Sequence, residues 1–397
     1  MNAADASVSD RLRPFGTTIF AEMTRLAMAN NAINLSQGFP DFDGPDFVKE
    51  AAIEAIRAGH AQYARTQGVP LLNQAIAKRW AEDLGIDLDP DEQVTVTSGC
   101  TEAIAASMLG LVNPGDEVVL FEPYYDSYRA CVAMAGGVAR CVPLRPEGST
   151  FAFDMDELRR AVTPRTKVVL LNTPHNPTGK VFSERELLAI AGVCIERNLI
   201  VISDEVYEHL VYESDQPHVR IATLPGMFER TLTLSSLGKT FSLTGWKVGW
   251  AVGPSGLSRA LRSAHQFLTF ATATPLQHAA AVAITRSDDY VADLVSRFRQ
   301  KRDMLLDALI ALGLKVFPPA GTYFIMADFS DVYDGDDISF CRRLTEDLGV
   351  AAIPPSVFYQ QKELGQRFVR FAFCKKDETL LEAIKRLQGL QAWKVRR

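Results

Sequence analysis

The chain lacks most of the features that would tie it to a special environment. No apolar run approaches the ~20 residues that cross a bilayer, and the opening "MNAADASVSDRLRPFG" has no signal-peptide core. The six cysteines, at 100, 131, 141, 194, 341 and 374, form no CxxC pair. The six histidines form no HxxxH or HExxH. A disulfide framework and a protein metal site are therefore not expected, and the thiols read as buried and reduced. Charge of one sign is never concentrated: 48 acidic and 42 basic residues are mixed along the chain for a net charge of −6. That pattern excludes a polybasic surface for nucleic acid or membrane lipid. There is no internal repeat and no low-complexity segment. The expectation is a cytoplasmic globular protein with small-molecule partners. At 397 residues it is longer than one core usually serves, so two domains are expected.

What is present is an alternation of short apolar runs with amphipathic stretches. Residues 1–45 read as an arm and a turn-rich loop, "NLSQGFPDFDGPD". "DFVKEAAIEAIRAG" reads as a helix ended by Gly59. "QVTVTSG" is a strand, and "TEAIAASMLGLV" follows as a helix with Ile104, Met108, Leu111 and Val112 on one face. "DEVVLFEP", "TKVVLLNTP", "LIVISDE" and "RTLTLSS" are further strands, the first three separated by helical stretches. Such alternation predicts an α/β fold with a mostly parallel sheet between helices. After about 285 a long charged helix and a second strand–helix set, "GTYFIMADF" to "FVRFAFC", read as a smaller α+β domain. The predicted organisation is an arm over 1–45 joining the small domain, a large domain over 46–284 and a small domain over 285–397.

Three polar residues stand just past predicted strand ends: Asn176, Asp204 and Lys239. Singly they read as a turn former, a helix cap and a surface lysine. Jointly they point to one site, because ligands of open α/β sheets bind outside the carboxyl ends of the strands. A lysine can form a Schiff base with an aldehyde. Pyridoxal 5′-phosphate carries an aldehyde, a ring nitrogen that needs a carboxylate beside it, a phenolic oxygen that needs donors, and a phosphate. Asp204 suits the nitrogen. Asn176 and Tyr207 suit the phenolic oxygen, and Tyr125 in "FEPYYDSY" could cover the ring. The phosphate suits backbone N–H groups at a helix start, as in "TSGCTEAI" with Gly99, Cys100 and Thr101. Ser236 and Lys247, in "SSLGKTFSLTGWKVGW", would add a hydroxyl and a cation.

The stretches "NLSQGFPDFDGP", "QYARTQGVP", "FEPYYDSY", "LNTPHNPTGKVF", "SDEVYEHLVY", "SSLGKTFSLTGWKVGW" and "VRFAFCK" occur in order from about residue 35 to 375. Carrying them, the chain resembles the class I aminotransferases of the fold type I pyridoxal phosphate enzymes, in the branch with kynurenine, glutamine–phenylpyruvate and methionine aminotransferases. The resemblance implies a large domain with a seven-stranded-type sheet plus a smaller α+β domain. It makes Lys239 the Schiff-base lysine, Asp204 the partner of the ring nitrogen and Tyr207 the donor to the phenolic oxygen. Asn176 is then shared by that oxygen and the substrate, and Arg370 clamps the substrate α-carboxylate, for which a guanidinium fork is suited. Tyr63 matches a tyrosine reaching the phosphate of the neighbouring subunit, which implies a homodimer with shared sites. Phe20, Gly38 and Phe270 match positions near the substrate. One departure lies in the phosphate turn, "SGCTE", where many relatives have "GGYGA" or "GGxxA".

The implied activity is transfer of an amino group from an α-amino acid to a 2-oxo acid. The substrate-side stretches "TTIFAEM", "NLSQGF", "QYART" and "QFLTFATATP" are apolar, aromatic or small, with Arg65 as their basic residue. Donors such as methionine, phenylalanine, tyrosine, kynurenine, leucine and glutamine are therefore expected. The alternatives are N-succinyl-diaminopimelate, for which Arg65, Arg11 and Arg13 could supply cations, and β-lyase chemistry on the same residues. A cofactor-binding transcriptional regulator is disfavoured, since no helix-turn-helix pattern occurs.

Overall fold

The computed structural model describes residues 8–16 and 18–393. The first seven residues of the expected arm, and Thr17 of the "TTIFAEM" stretch, lie outside the described residues. An eight-stranded sheet forms the centre. Its strands are β1 (Val94–Thr97), β2 (Glu117–Glu122), β3 (Val138–Glu147), β4 (Thr150–Phe153), β5 (Thr166–Asn172), β6 (Ile200–Asp204), β7 (Thr231–Ser236) and β8 (Gly249–Val252). They lie in the order β1-β8-β7-β6-β5-β2-β3-β4. Pairings β7–β6, β6–β5, β5–β2 and β2–β3 are parallel, whereas β8 runs against both β1 and β7. Every residue of β1, β2 and β8 is buried, as befits a sheet covered on both faces.

The eighth strand is β4. It folds back antiparallel on β3 as a hairpin at the sheet edge; β3, β4 and β8 all lie in stretches that the sequence alternation does not mark as strands. At four residues β4 is short, with a partly exposed pattern. Helices at Ile19–Ala29, Pro70–Leu84, Ser255–Leu268 and Thr274–Thr285 were likewise not evident. The first of these falls within what was read as an arm and loop. It starts at Thr18, whose hydroxyl oxygen accepts from the Ala21 N–H at 3.3 Å, an N-cap of the usual kind.

A second, antiparallel sheet joins Lys315–Phe317, Phe324–Asp328 and Phe368–Ala372. The N-terminal segment pairs with this part of the chain. Ile33–Asn34 lies parallel to Val350–Ala351, and the N–H of Ala372 donates to the carbonyl of Leu35 at 2.8 Å. The segment that follows is thereby held against the strand carrying Arg370.

Two helices brace the β1 end of the sheet, Gly99–Leu111 and Ser255–Leu268. They cross so closely that a side chain at Gly110 would place its first carbon 2.1 Å from the Ala260 carbonyl oxygen. Gly192, exposed in the interior of the helix Glu184–Glu196, has open space around it. The same substitution should therefore act in opposite directions. Gly110→Ala is expected to destabilise by about 1–3 kcal/mol through overpacking. Gly192→Ala is expected to stabilise by about 0.5–1 kcal/mol through reduced backbone entropy in the unfolded chain. Urea midpoints of the two variants against wild type test this, and shifts of equal sign would contradict the packing assigned to either helix.

Candidate active site

The parallel strands end on one edge of the sheet, and the residues just past those ends surround a cavity of about 170 Å³. Strand β6 delivers Asp204 and, one turn later, Tyr207; β5 delivers Asn172 and Asn176. Strand β7 delivers Ser236 and then Lys239, on a single helical turn, Leu237–Thr240. Tyr125 enters after β2, and Gly99, Cys100 and Thr101 enter at the helix start after β1.

Asp204 is almost fully buried. Burial raises its carboxyl pKa, and several donors work against that rise. The Tyr128 hydroxyl donates to Oδ2 at 2.6 Å, and the Val206 N–H donates to Oδ1 at 3.2 Å. The Cys100 thiol and the charge of Lys239 lower it further. Asn172 fixes the neighbouring backbone from both sides. Its Nδ2 donates to the Asp204 carbonyl at 2.9 Å, and its Oδ1 accepts from the Asn176 N–H at 2.7 Å.

Lys239 reaches into the same cavity, its Nζ 5.8 Å from the centre of the Tyr207 ring. Burial lowers its pKa, while the neighbouring Cys374 and Asp204 favour the charged form. The result is an amine easier to deprotonate than an exposed lysine. Tyr207 stands edge-on to Tyr323 with ring centres 5.2 Å apart, and burial keeps its hydroxyl protonated.

The β1 turn is built by close backbone contact. Gly99 has φ 76°, a left-handed conformation that glycine adopts without penalty. A side-chain carbon on it would lie 3.1 Å from the Lys247 Nζ, so the missing side chain leaves room for the ammonium beside the turn. Lys247 itself has φ 54° and ψ 43°, a left-handed position uncommon for a side-chain-bearing residue. A carbon on Gly249 would sit 2.6 Å from the Gly99 carbonyl carbon and 2.7 Å from the Cys100 nitrogen. Backbone thus packs on backbone beneath the turn.

Arg370 adjoins the cavity through Asn176. Its Nη1 donates to Asn176 Oδ1 at 2.9 Å and its Nη2 to the Ser36 carbonyl at 2.7 Å. Its Nε is buried without an acceptor. Phe324, Phe358 and Phe20 surround the guanidinium, with ring centres at 4.1, 5.4 and 5.5 Å. Burial pulls its pKa down to about 10, which still leaves it charged at neutral pH. Gly38 lies against the same group of rings: a side-chain carbon there would fall 2.4 Å from the Phe324 ring. Its carbonyl accepts from the Tyr323 hydroxyl at 2.6 Å.

Arg370, Phe20 and Gly38 sit beside this cavity rather than lining it, and Tyr63, expected at a neighbouring subunit's phosphate, Phe270 and Arg65 do not line it either. Tyr63 is 87% exposed, and its ring stands edge-on to Phe270, itself exposed, at 5.6 Å. Arg65 is committed elsewhere, to Asp91 at 2.9 Å and to the Gly68 carbonyl at 3.1 Å. Sequence reasoning passed over Tyr128, Asn172 and Phe358. Tyr128 stands inside the quoted "FEPYYDSY", but nothing in the linear order separates it from its two neighbouring tyrosines.

The chain matches the family of class I and II aminotransferases over residues 30–387. A probable N-succinyldiaminopimelate aminotransferase of Mycobacterium tuberculosis is 49% identical over 388 residues, 96% of this chain and 98% of that protein. The methionine aminotransferase of Escherichia coli is 42% identical over 380 residues, 96% of this chain and 97% of that protein. Among solved structures, N-succinyldiaminopimelate aminotransferase from M. tuberculosis superposes with a TM-score of 0.94 at 50% identity, covering 97% of this chain and 100% of that one. An E. coli protein described as having a methionine aminotransferase function superposes with a TM-score of 0.92 at 41% identity, covering 96% and 99%. The cavity's donor set fits the cofactor of such enzymes: its lining includes a carboxylate, a phenol, an amide, a lysine, and a glycine turn with a second lysine beside it. The chain belongs to the class I and II aminotransferases, and its cofactor is pyridoxal 5′-phosphate.

Proposed function

We propose that this aminotransferase takes its amino group from a large, apolar or weakly polar amino acid, with Lys239, Asp204, Tyr207, Asn176 and Arg370 carrying the reaction. The observation behind the residue roles is the convergence of Lys239, Asp204, Tyr207 and Asn176 from three strand ends on one cavity, with Arg370 of the second sheet bonded to Asn176 beside it. Bound there, pyridoxal phosphate supplies a carbonyl that takes up the amino group and a ring that accepts the electron pair left at the substrate Cα. Asp204 holds the proton on the ring nitrogen. Tyr207 and Asn176 donate to the phenolic oxygen. Gly99, Cys100 and Thr101 offer backbone donors to the phosphate, with Ser236 and Lys247 adding a hydroxyl and a positive charge, and Tyr125 covers the ring face. Arg370 grips the substrate α-carboxylate beside Asn176, where Phe20 and Gly38 shape the wall. Lys239, its pKa lowered by burial, would be the residue that holds the cofactor by its carbonyl. Once displaced, it moves the Cα proton as general base and then acid.

The exposed Tyr63 and Phe270, next to Phe267 at 85% exposure, support a homodimer in which Tyr63 reaches the partner's phosphate site. We place the protein in the cytoplasm. We divide the chain into an arm over 1–45, a large domain over 46–284 and a small domain over 285–397, as the two sheets and the pairing of Ile33–Asn34 with Val350–Ala351 suggest.

The choice of donor rests on which cations are available. Arg65 is bound to Asp91, Arg13 to Asp10, and Arg11 to the Met134 carbonyl. The rings around Arg370 are aromatic. A side chain of matching character is favoured, each buried methylene contributing about 0.8 kcal/mol. A second reading, N-succinyl-diaminopimelate as substrate, is favoured by the 49% identity to the M. tuberculosis protein.

Three outcomes are expected. Borohydride reduction of the yellow holoenzyme should fix the cofactor to the peptide containing Lys239, and Lys239→Ala should lower turnover by about 10⁴-fold or more. Fixation at Lys247 would overturn the assignment. In kcat/KM measurements, methionine and phenylalanine should exceed aspartate by at least about tenfold, or ~1.4 kcal/mol. If N-succinyl-diaminopimelate leads them by as much, the apolar-donor reading is wrong. By light scattering the active species should have twice the chain mass; a fully active monomer would refute the shared site.

A further inference from the structure

Tyr128 has no part in the roles assigned above. It lies on the helix Ser127–Met134, buried, with its ring edge-on to Tyr125 at a centre distance of 5.7 Å. Its hydroxyl ends 2.6 Å from Asp204 Oδ2, a length typical of a hydroxyl bonded to an ionised carboxylate. Asp204 Oδ1 accepts the Val206 N–H at 3.2 Å, so each carboxylate oxygen has a protein donor.

We propose that Tyr128 is a positioning residue for Asp204: its hydroxyl keeps the buried carboxylate ionised and correctly aimed, so that Asp204 can hold a proton on the cofactor's ring nitrogen. The inference rests on the reading of Asp204 as that nitrogen's partner. Two facts carry it beyond the distance. A carboxyl group this deeply buried is driven toward its neutral form, which has no charge to offer the ring. A phenol that keeps its own proton favours the ionised form, because that form accepts the bond more strongly. Burial holds the Tyr128 hydroxyl protonated, so it remains a donor throughout the working range. The Cys100 thiol also neighbours Asp204, but a thiol is a weak donor and does not replace the phenol. A role confined to packing the helix on the sheet would need the ring and not the hydroxyl.

The test measures binding. Apoenzyme is titrated with pyridoxal phosphate and with its 1-deaza analogue, in which a C–H replaces the ring nitrogen. Tyr128→Phe should reduce the preference for the natural cofactor about tenfold, as loss of a hydrogen bond to a charged group predicts, and leave affinity for the analogue within about twofold. Equal weakening of both ligands, or no change in either, overturns the inference. Asp204→Ala is the reference. Preference that survives in Asp204→Ala overturns the reading of Asp204 and the inference with it. Preference lost there but intact in Tyr128→Phe overturns the inference alone. Should Tyr128→Phe not fold, 3-fluorotyrosine installed at position 128 gives a stronger donor of the same shape. It should raise the preference, and an unchanged value overturns the proposal.

Discussion

A carboxylate buried at the end of a central strand governs how the rest of the site is built. Little of Asp204 is open to water, so the fold has to supply most of its hydrogen bonds. Those donors come from a helix across the sheet edge, from the backbone two residues on, and from the turn after β1. Each must stay in place for the charge to survive. That demand explains why the neighbouring strand adds Asn172, which spans β5 and β6 and locks the backbone on both sides. Parallel pairing makes this possible, because it brings successive strand ends to one edge although dozens of residues separate them in the chain.

Arg370 meets the same difficulty with the opposite sign. Its guanidinium is enclosed by three phenylalanine rings, and its Nη groups donate to Asn176 and to the Ser36 carbonyl. The aromatic faces offset part of the lost hydration through their negative quadrupoles. The carbonyl belongs to the segment that pairs with residues 350–351. The cation-holding wall is therefore assembled from both ends of the chain and from the second sheet, and it meets the large-sheet edge through Asn176, through the Tyr207 ring against Phe324 and through the Tyr124 N–H, which donates to the Phe358 carbonyl.

The legible part of this arrangement is the part written in single runs. The apolar stretches ending at Asn172, Asp204 and Ser236 announce buried strands, and a polar group just past each one announces a site. Lys239, Asp204, Asn176 and Tyr207 could be named on those grounds, and the cavity gathers all four. Contacts that depend on which strands are neighbours could not. Nothing in the order of residues says that β5 lies beside β6, so Asn172 read as the end of a strand and no more. Tyr128 required knowledge of where one helix crosses the sheet edge. The helix Pro70–Leu84 escaped notice for a different reason: its buried face includes Asn73, which donates to the carbonyls of Gln67, Pro90 and Val94 and blurs the apolar stripe.

The contact between Gly249 and the β1 turn bears on how such a site can drift. The turn reads Ser98-Gly99-Cys100, and its main-chain path is held from below by a residue with no side chain. Side chains that project from the turn can be exchanged without touching its support, whereas a carbon added at Gly249 collides with the main chain above it. The anion-binding end thus depends on a residue that contributes no functional group, and a designer altering ligand choice has more latitude at Thr101 than at Gly249, where any added carbon meets main chain.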